Sequence, residues 1–268
     1  MNIHRFTMKF SGVVSALALT GATVARPGKA GKQLPTMKIA NIEVVDTPIV
    51  RDAIKVVEEF IPLQPYLYGH VMRSWLFGAA AFNNNATLKA QIDLEAHAIG
   101  TLLHDLGWDM REDSPWTTKE HRFEVDGGAG ALKFIQQHPC SKKEWPELRQ
   151  MWVYDAIALQ AIADIPTFKS IQTQWMIDSV GFEFPGPRSP LIKDEDYDSI
   201  LAAFPNDYLF RGTNETFTWM AATKPKAVYN TFIQDFGTAY VPGFNATGHR
   251  LFDVIQGGLA AELAAHAS

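Results

Sequence analysis

The chain is poor in the features that mark several large classes of protein. It has one cysteine, no lysine- or arginine-rich run beyond its first residues, no internal repeat and few alternating strand patterns. A lone Cys140 excludes an intrachain disulfide and a cysteine-built zinc cage. With 24 Lys+Arg against 29 Asp+Glu the net charge is −5. That balance provides no basic stripe to track phosphates, so nucleic acid is not an expected partner. No glycine-rich phosphate loop is present either. What the chain does have is 268 residues that are 47% hydrophobic and 12% aromatic, spread evenly enough to build a real core rather than a disordered chain. Chemistry must therefore come mainly from histidines and carboxylates.

The first residues differ from the rest. Met1 to Lys9 carries His4, Arg5 and Lys9 without an acid, Phe10 to Val24 is uncharged and apolar, and Thr23-Val24-Ala25 closes the run with small residues. The run is too short to span a bilayer and predicts a secretory signal over residues 1–25. Residues 26–38, rich in glycine, proline and lysine, read as a linker, with the folded domain starting near Ile39. Asn85, Asn214 and Asn245 each open an Asn-x-Thr sequon that a secreted chain can glycosylate.

From there the periodicity is helical. Amphipathic stretches run over Asp52 to Phe60, Leu67 to Ala81, Thr87 to Asp105, Phe123 to Gln137, Trp145 to Ile162, Phe168 to Val180, Asp194 to Phe204, Glu215 to Ala222, Pro225 to Phe236 and Gly248 to Ala264. Ile42 to Val45 is the only strand candidate. The fold class predicted is a single all-α domain over residues 39–268. The sequence sets no oligomeric state.

Of the eight histidines, His138, His249 and His266 read as ordinary surface or core residues. His104 differs because it is followed by Asp105 at the end of the apolar run Ala98-Ile-Gly-Thr-Leu-Leu-His-Asp-Leu-Gly107. A carboxylate at the end of a buried helix is costly unless paired or metal-bound. Imidazole with carboxylate suits a divalent ion such as zinc, iron or manganese. Upstream, His70 and Arg73 share a helix face at i, i+3. Downstream lies His121-Arg-Phe-Glu124-Val-Asp-Gly127-Gly128.

The order of these motifs resembles the HD-domain metallohydrolases, and most closely their fungal cyanamide hydratase branch. The elements carrying the likeness are His70-x-x-Arg73, Leu102-Leu-His-Asp-Leu-Gly107, Phe123-Glu-x-x-Gly-Gly128, Val153-Tyr-Asp-Ala-Ile-Ala-Leu159 and Ile177-Asp-Ser-Val-Gly181, within residues 62–204. The resemblance implies an HD-type helical fold and a divalent metal, zinc foremost, held by His70, His104, Asp105 and Asp178. Glu183 is a competing last carboxylate. It further implies hydration of a small carbon–nitrogen substrate, with Asp105, Glu124 and Arg73 as catalytic candidates. For Glu124 a structural role in the first helical turn, paired with Arg73 or Arg122, is an equal reading. Two positions depart from the branch: Gln160 stands where a histidine is usual, and Val71 where a serine is usual. Neither can supply the lost imidazole or hydroxyl. The alternatives are an HD-type phosphohydrolase and a non-catalytic, secreted binding protein. Trp108 stands where signalling-type relatives carry a lysine, which favours a small neutral substrate over a nucleotide.

Overall fold

The computed structural model describes residues 34–184 and 188–267; the expected signal segment and most of the linker lie outside the described residues. The chain opens with a two-stranded antiparallel hairpin, β1 (Thr36–Ile39) and β2 (Ile42–Val45), with Ile39 opposite Ile42. Both turn residues, Ala40 and Asn41, have positive φ (50° and 62°), the geometry of a tight two-residue hairpin turn. The first described strand thus begins three residues before the expected Ile39 boundary.

Every regular element after the hairpin is helical among the described residues. The helices are α1 (Pro48–Glu58), α2 (Pro65–Asn84), α3 (Ala86–Lys89), α4 (Leu94–Leu103), a 3₁₀ turn (Leu106–Trp108), α5 (Phe123–Gln137), α6 (Ser141–Glu144) and α7 (Glu147–Leu159). A second 3₁₀ turn (Ile165–Phe168) leads to α8 (Ile171–Gly181), α9 (Asp194–Ala203), α10 (Leu209–Thr223), α11 (Pro225–Val228), α12 (Gln234–Tyr240) and α13 (Leu251–His266). The fold is mostly helical, as expected. No described helix is long and apolar enough to cross a membrane.

Two expected helices are split, each for a local reason. The run from Thr87 to Asp105 breaks because Asp93 leaves helical geometry to cap α4, its side chain accepting from the Ala96 amide at 3.0 Å. The run from Pro225 to Phe236 breaks after Val228, where Asn230 takes a positive φ of 59°.

α2 is the central element. It is buried from Gly69 through Phe82 on every face, and it packs against α4, α8, α9, α10 and β2. A helix enclosed on all sides must bury its polar residues with partners. At Gly78 an added Cβ would lie 2.3 Å from Ser179 Oγ and 2.4 Å from His97 Nε2, so only glycine admits the buried contact that joins α4 to α8 there. In that contact His97 Nε2 lies 2.9 Å from Ser179 Oγ, and Ser179 donates to the Trp175 carbonyl at 2.5 Å.

Burial holds His97 neutral and pushes its pKa down to about 3. A histidine with a depressed pKa contributes stability that is complete above its unfolded value of ~6.5 and fades as pH falls toward 3. Stability measured by urea unfolding should therefore decline between pH 7 and pH 4. His97→Gln, which keeps a donor toward Ser179, should flatten that decline, and an unchanged slope would remove His97 as its source.

Candidate metal centre

α2 delivers His70 and α4 delivers His104 and Asp105. α4 ends at Leu103, with His104 as its cap; Asp105 then leaves helical geometry (φ −109°, ψ 26°) before the 3₁₀ turn. Side chains of adjacent helical residues diverge by roughly 100°, and this break turns the two toward a common point. The turn stays tight because Gly107 meets the start of α5: a Cβ there would lie 2.1 Å from the Phe123 carbonyl oxygen.

Three acceptor atoms converge. His70 Nε2 and His104 Nε2 are 3.0 Å apart, and Asp105 Oδ2 lies 3.3 Å from the first and 3.1 Å from the second. All three residues are buried. The other ring nitrogens are already committed: His70 Nδ1 donates to Glu183 Oε2 at 2.6 Å, and His104 Nδ1 donates to the Thr101 carbonyl at 2.8 Å. Those bonds aim the Nε2 lone pairs inward, toward each other and toward the carboxylate. Apart from these two imidazoles, neither oxygen of Asp105 has a hydrogen-bond donor. Buried acceptors without donors are costly, and a cation among them removes the cost. Separations of this size are also those of neighbouring ligands around one ion with bonds of roughly 2.0–2.1 Å. Three buried residues here can hold a metal ion.

The charges follow from the same packing. Burial alone would push Asp105 up and His70 down. The adjacent imidazoles win for Asp105, holding it below the usual carboxylate range, and the carboxylates of Glu183 and Asp105 win for His70, raising it. Without a metal, His70 thus carries its second proton on Nε2, facing the Asp105 carboxylate, and a divalent ion would take the place of that proton.

The remaining expected residues divide. Asp178 is exposed on α8 and stays outside the compact group; partial removal from water pushes its carboxyl up to about 6. Glu183, the competing carboxylate, is beside the group but on the far nitrogen of His70, where it orients the ring. Arg73 is fully buried and spent on Glu183 and on the carbonyls of Phe204 (3.3 Å) and Pro205 (2.7 Å). Glu124 is paired with Arg122 at 2.5 Å, the structural alternative weighed for it. Gln160 donates to the His104 carbonyl at 3.0 Å, so it supports the ligand-bearing turn through its backbone. Val71 is fully buried in the core. The wall over His70 is aromatic. Trp108 stacks on it at 6.1 Å between centroids, and Phe184 meets it edge-on at 6.0 Å. The sequence did not foretell Glu183 as an orienting group; a carboxylate outside any motif gives no such signal.

Glu183→Gln should weaken metal affinity by about 10–100-fold, as removal of a carboxylate behind a ligating histidine does elsewhere. Asp178→Asn should leave affinity within about threefold. Competition with a chromophoric chelator reads both, and the reverse ranking would make Asp178 the ligand.

Compared with models of protein families and with curated proteins, the chain matches none.

Proposed function

We propose that the protein is a metal-dependent enzyme that adds water to a small, neutral carbon–nitrogen substrate of the cyanamide or nitrile kind. The observation that carries this reading is the buried convergence of His70 Nε2, His104 Nε2 and Asp105 Oδ2, with no donor on Asp105 beyond the two imidazoles. His70, His104 and Asp105 would hold a divalent ion there, and its Lewis acidity would lower the pKa of water enough to make a nucleophile near neutral pH. Asp105 is the nearest group able to accept a proton, having a second oxygen that no protein donor occupies. Glu183 fixes the His70 ring so that its lone pair keeps its aim. Trp108 and Phe184 exclude bulk water from one side and present a face without charge.

The neutral substrate is preferred over a phosphoester because the nearby cations are already paired. Arg73 is bound to Glu183, Arg111 to Asp109 and Glu59, and Arg122 to Glu124. A phosphate would have to break one of these pairs. The HD-type fold and the cyanamide hydratase likeness belong to this same proposal and rest on the sequence motifs.

The test uses purified full chain loaded separately with zinc, iron or manganese. Urea formation from cyanamide, or amide from small nitriles, should appear only with a metal and vanish with a chelator. Metal-dependent cleavage of bis(p-nitrophenyl) phosphate instead would favour the phosphohydrolase. A fully loaded protein inert toward all of these would favour a binding role.

A further inference from the structure

The C-terminal helix α13 is 16 residues long, and none of them is buried. Its start is firmly built: the Asp253 carboxylate accepts from the Gly248 amide at 2.9 Å and the Arg250 amide at 3.0 Å, and it pairs with the Arg250 guanidinium at 2.6 Å. Beyond that cap every described residue from Val254 to Ala267 is exposed. Yet Leu251, Phe252, Val254, Ile255, Leu259 and Leu263 are each 46–65% exposed. Isolated helices of this length are marginal in water. The interior pair Gly257-Gly258 weakens this one further, by about 1 kcal/mol per glycine. Its helical state calls for a surface to pack against.

We propose that this surface is α13 of a second copy, and that the protein is a homodimer built on an antiparallel pair of these helices. Three observations select that occupant. The area fits: six side chains so exposed present on the order of 600 Å² of apolar surface, at the upper end for a monomer and near the ~800 Å² per partner of a stable interface. The pattern is self-complementary. Leu251, Ile255, Leu259 and Leu263 recur every four residues and form one ridge along the helix. A twofold axis at Leu259, close to the middle of the helix, sets Ile255 of one copy against Leu263 of the other and antiparallel dipoles side by side. Gly258, next to Leu259, has no side chain to hold the backbones apart. The charge argues against lipid. α13 has no lysine or arginine, and its ionised residues are Asp253 and Glu262, whereas helices that rest on membranes carry a cationic face.

The experiment uses full chain with Cys140→Ser. Light scattering after size exclusion should give twice the chain mass of 29.8 kDa, and Leu259→Lys should halve it, with helical circular dichroism falling by no more than the share of α13 and metal content unchanged. Oxidation should then cross-link Leu259→Cys on the axis. Ile255→Cys and Leu263→Cys alone should not cross-link, because like residues lie about 12 Å apart along an antiparallel pair, but a chain carrying both substitutions should. A parent that is monomeric at every concentration overturns the proposal, whether phosphatidylcholine vesicles or the chain's own residues 10–24 then prove to cover α13. Cross-linking by Ile255→Cys alone overturns the antiparallel pairing.

Discussion

His104→Ala and Asp105→Ala should each strip the chain of divalent metal, from about one ion per chain to below a tenth, while His138→Ala keeps it. The contrast follows from where the atoms point. His104 and Asp105 each supply one of three converging acceptors, whereas His138 caps α5, its Nε2 3.3 Å from the exposed carboxylate of Asp52. The rival reading is a buried His–Asp ion pair kept for structure, and stability separates the two. A metal at a thousand times its dissociation constant stabilises the folded state by about 4 kcal/mol, which for a domain of this size raises the melting temperature by roughly 8–16 °C. The parent should show that rise with metal, and both variants should show none while keeping their helical circular dichroism. Under the ion-pair reading Asp105→Ala would instead lose about 3–5 kcal/mol with or without metal, because it removes the carboxylate that faces both buried imidazoles. Elemental analysis together with melting curves, with and without a chelator, decides between them.

The sequence foretold the helices better than their ends. α2 and α4 were legible because long apolar periodicity survives any tertiary context. The break at Asp93 was not, since the same residue reads as a polar step on a helix face or as a cap, and only the Ala96 amide and Arg149 beside it make it a cap. The first strand escaped because Ala40-Asn41 lacks the glycine that usually announces a tight hairpin turn. At the site, the His-Asp pair and the His-x-x-Arg helix pointed to the three residues whose side chains converge. They could not rank the carboxylates that follow. Asp178 and Glu183 lie within six residues of each other at the end of α8, and their roles depend on how the chain leaves that helix. The family resemblance makes Arg73 a catalytic candidate, but the helix face it shares with His70 is equally the face that reaches Glu183. Spacing locates a side chain; its partners decide whether any of its chemistry is left over.

Lys224→Ala should be the most destabilising substitution away from the metal centre. Lys224 follows α10 and Asp126 sits in the first turn of α5; their side chains meet at 2.9 Å and are almost wholly buried. The same carboxylate accepts from the Thr118 amide at 3.0 Å and the Thr118 hydroxyl at 2.8 Å. One buried anion thus ties together α10, α5 and the loop between the 3₁₀ turn at Leu106–Trp108 and α5. Removing the lysine leaves that anion uncompensated, which costs about 3–5 kcal/mol when a buried pair is broken from one side. The melting temperature should fall by roughly 6–20 °C. Asp126→Asn should cost a comparable amount by stranding the ammonium. The double variant Lys224→Met with Asp126→Asn should recover most of the loss, since no charge then remains buried and the amide oxygen still receives Thr118. A double variant as unstable as the sum of the singles would mean that packing volume, not charge, holds this junction. Metal content is the control that keeps this result apart from the site: every variant of the pair should bind its ion as the parent does, because none of the three ligand atoms touches it.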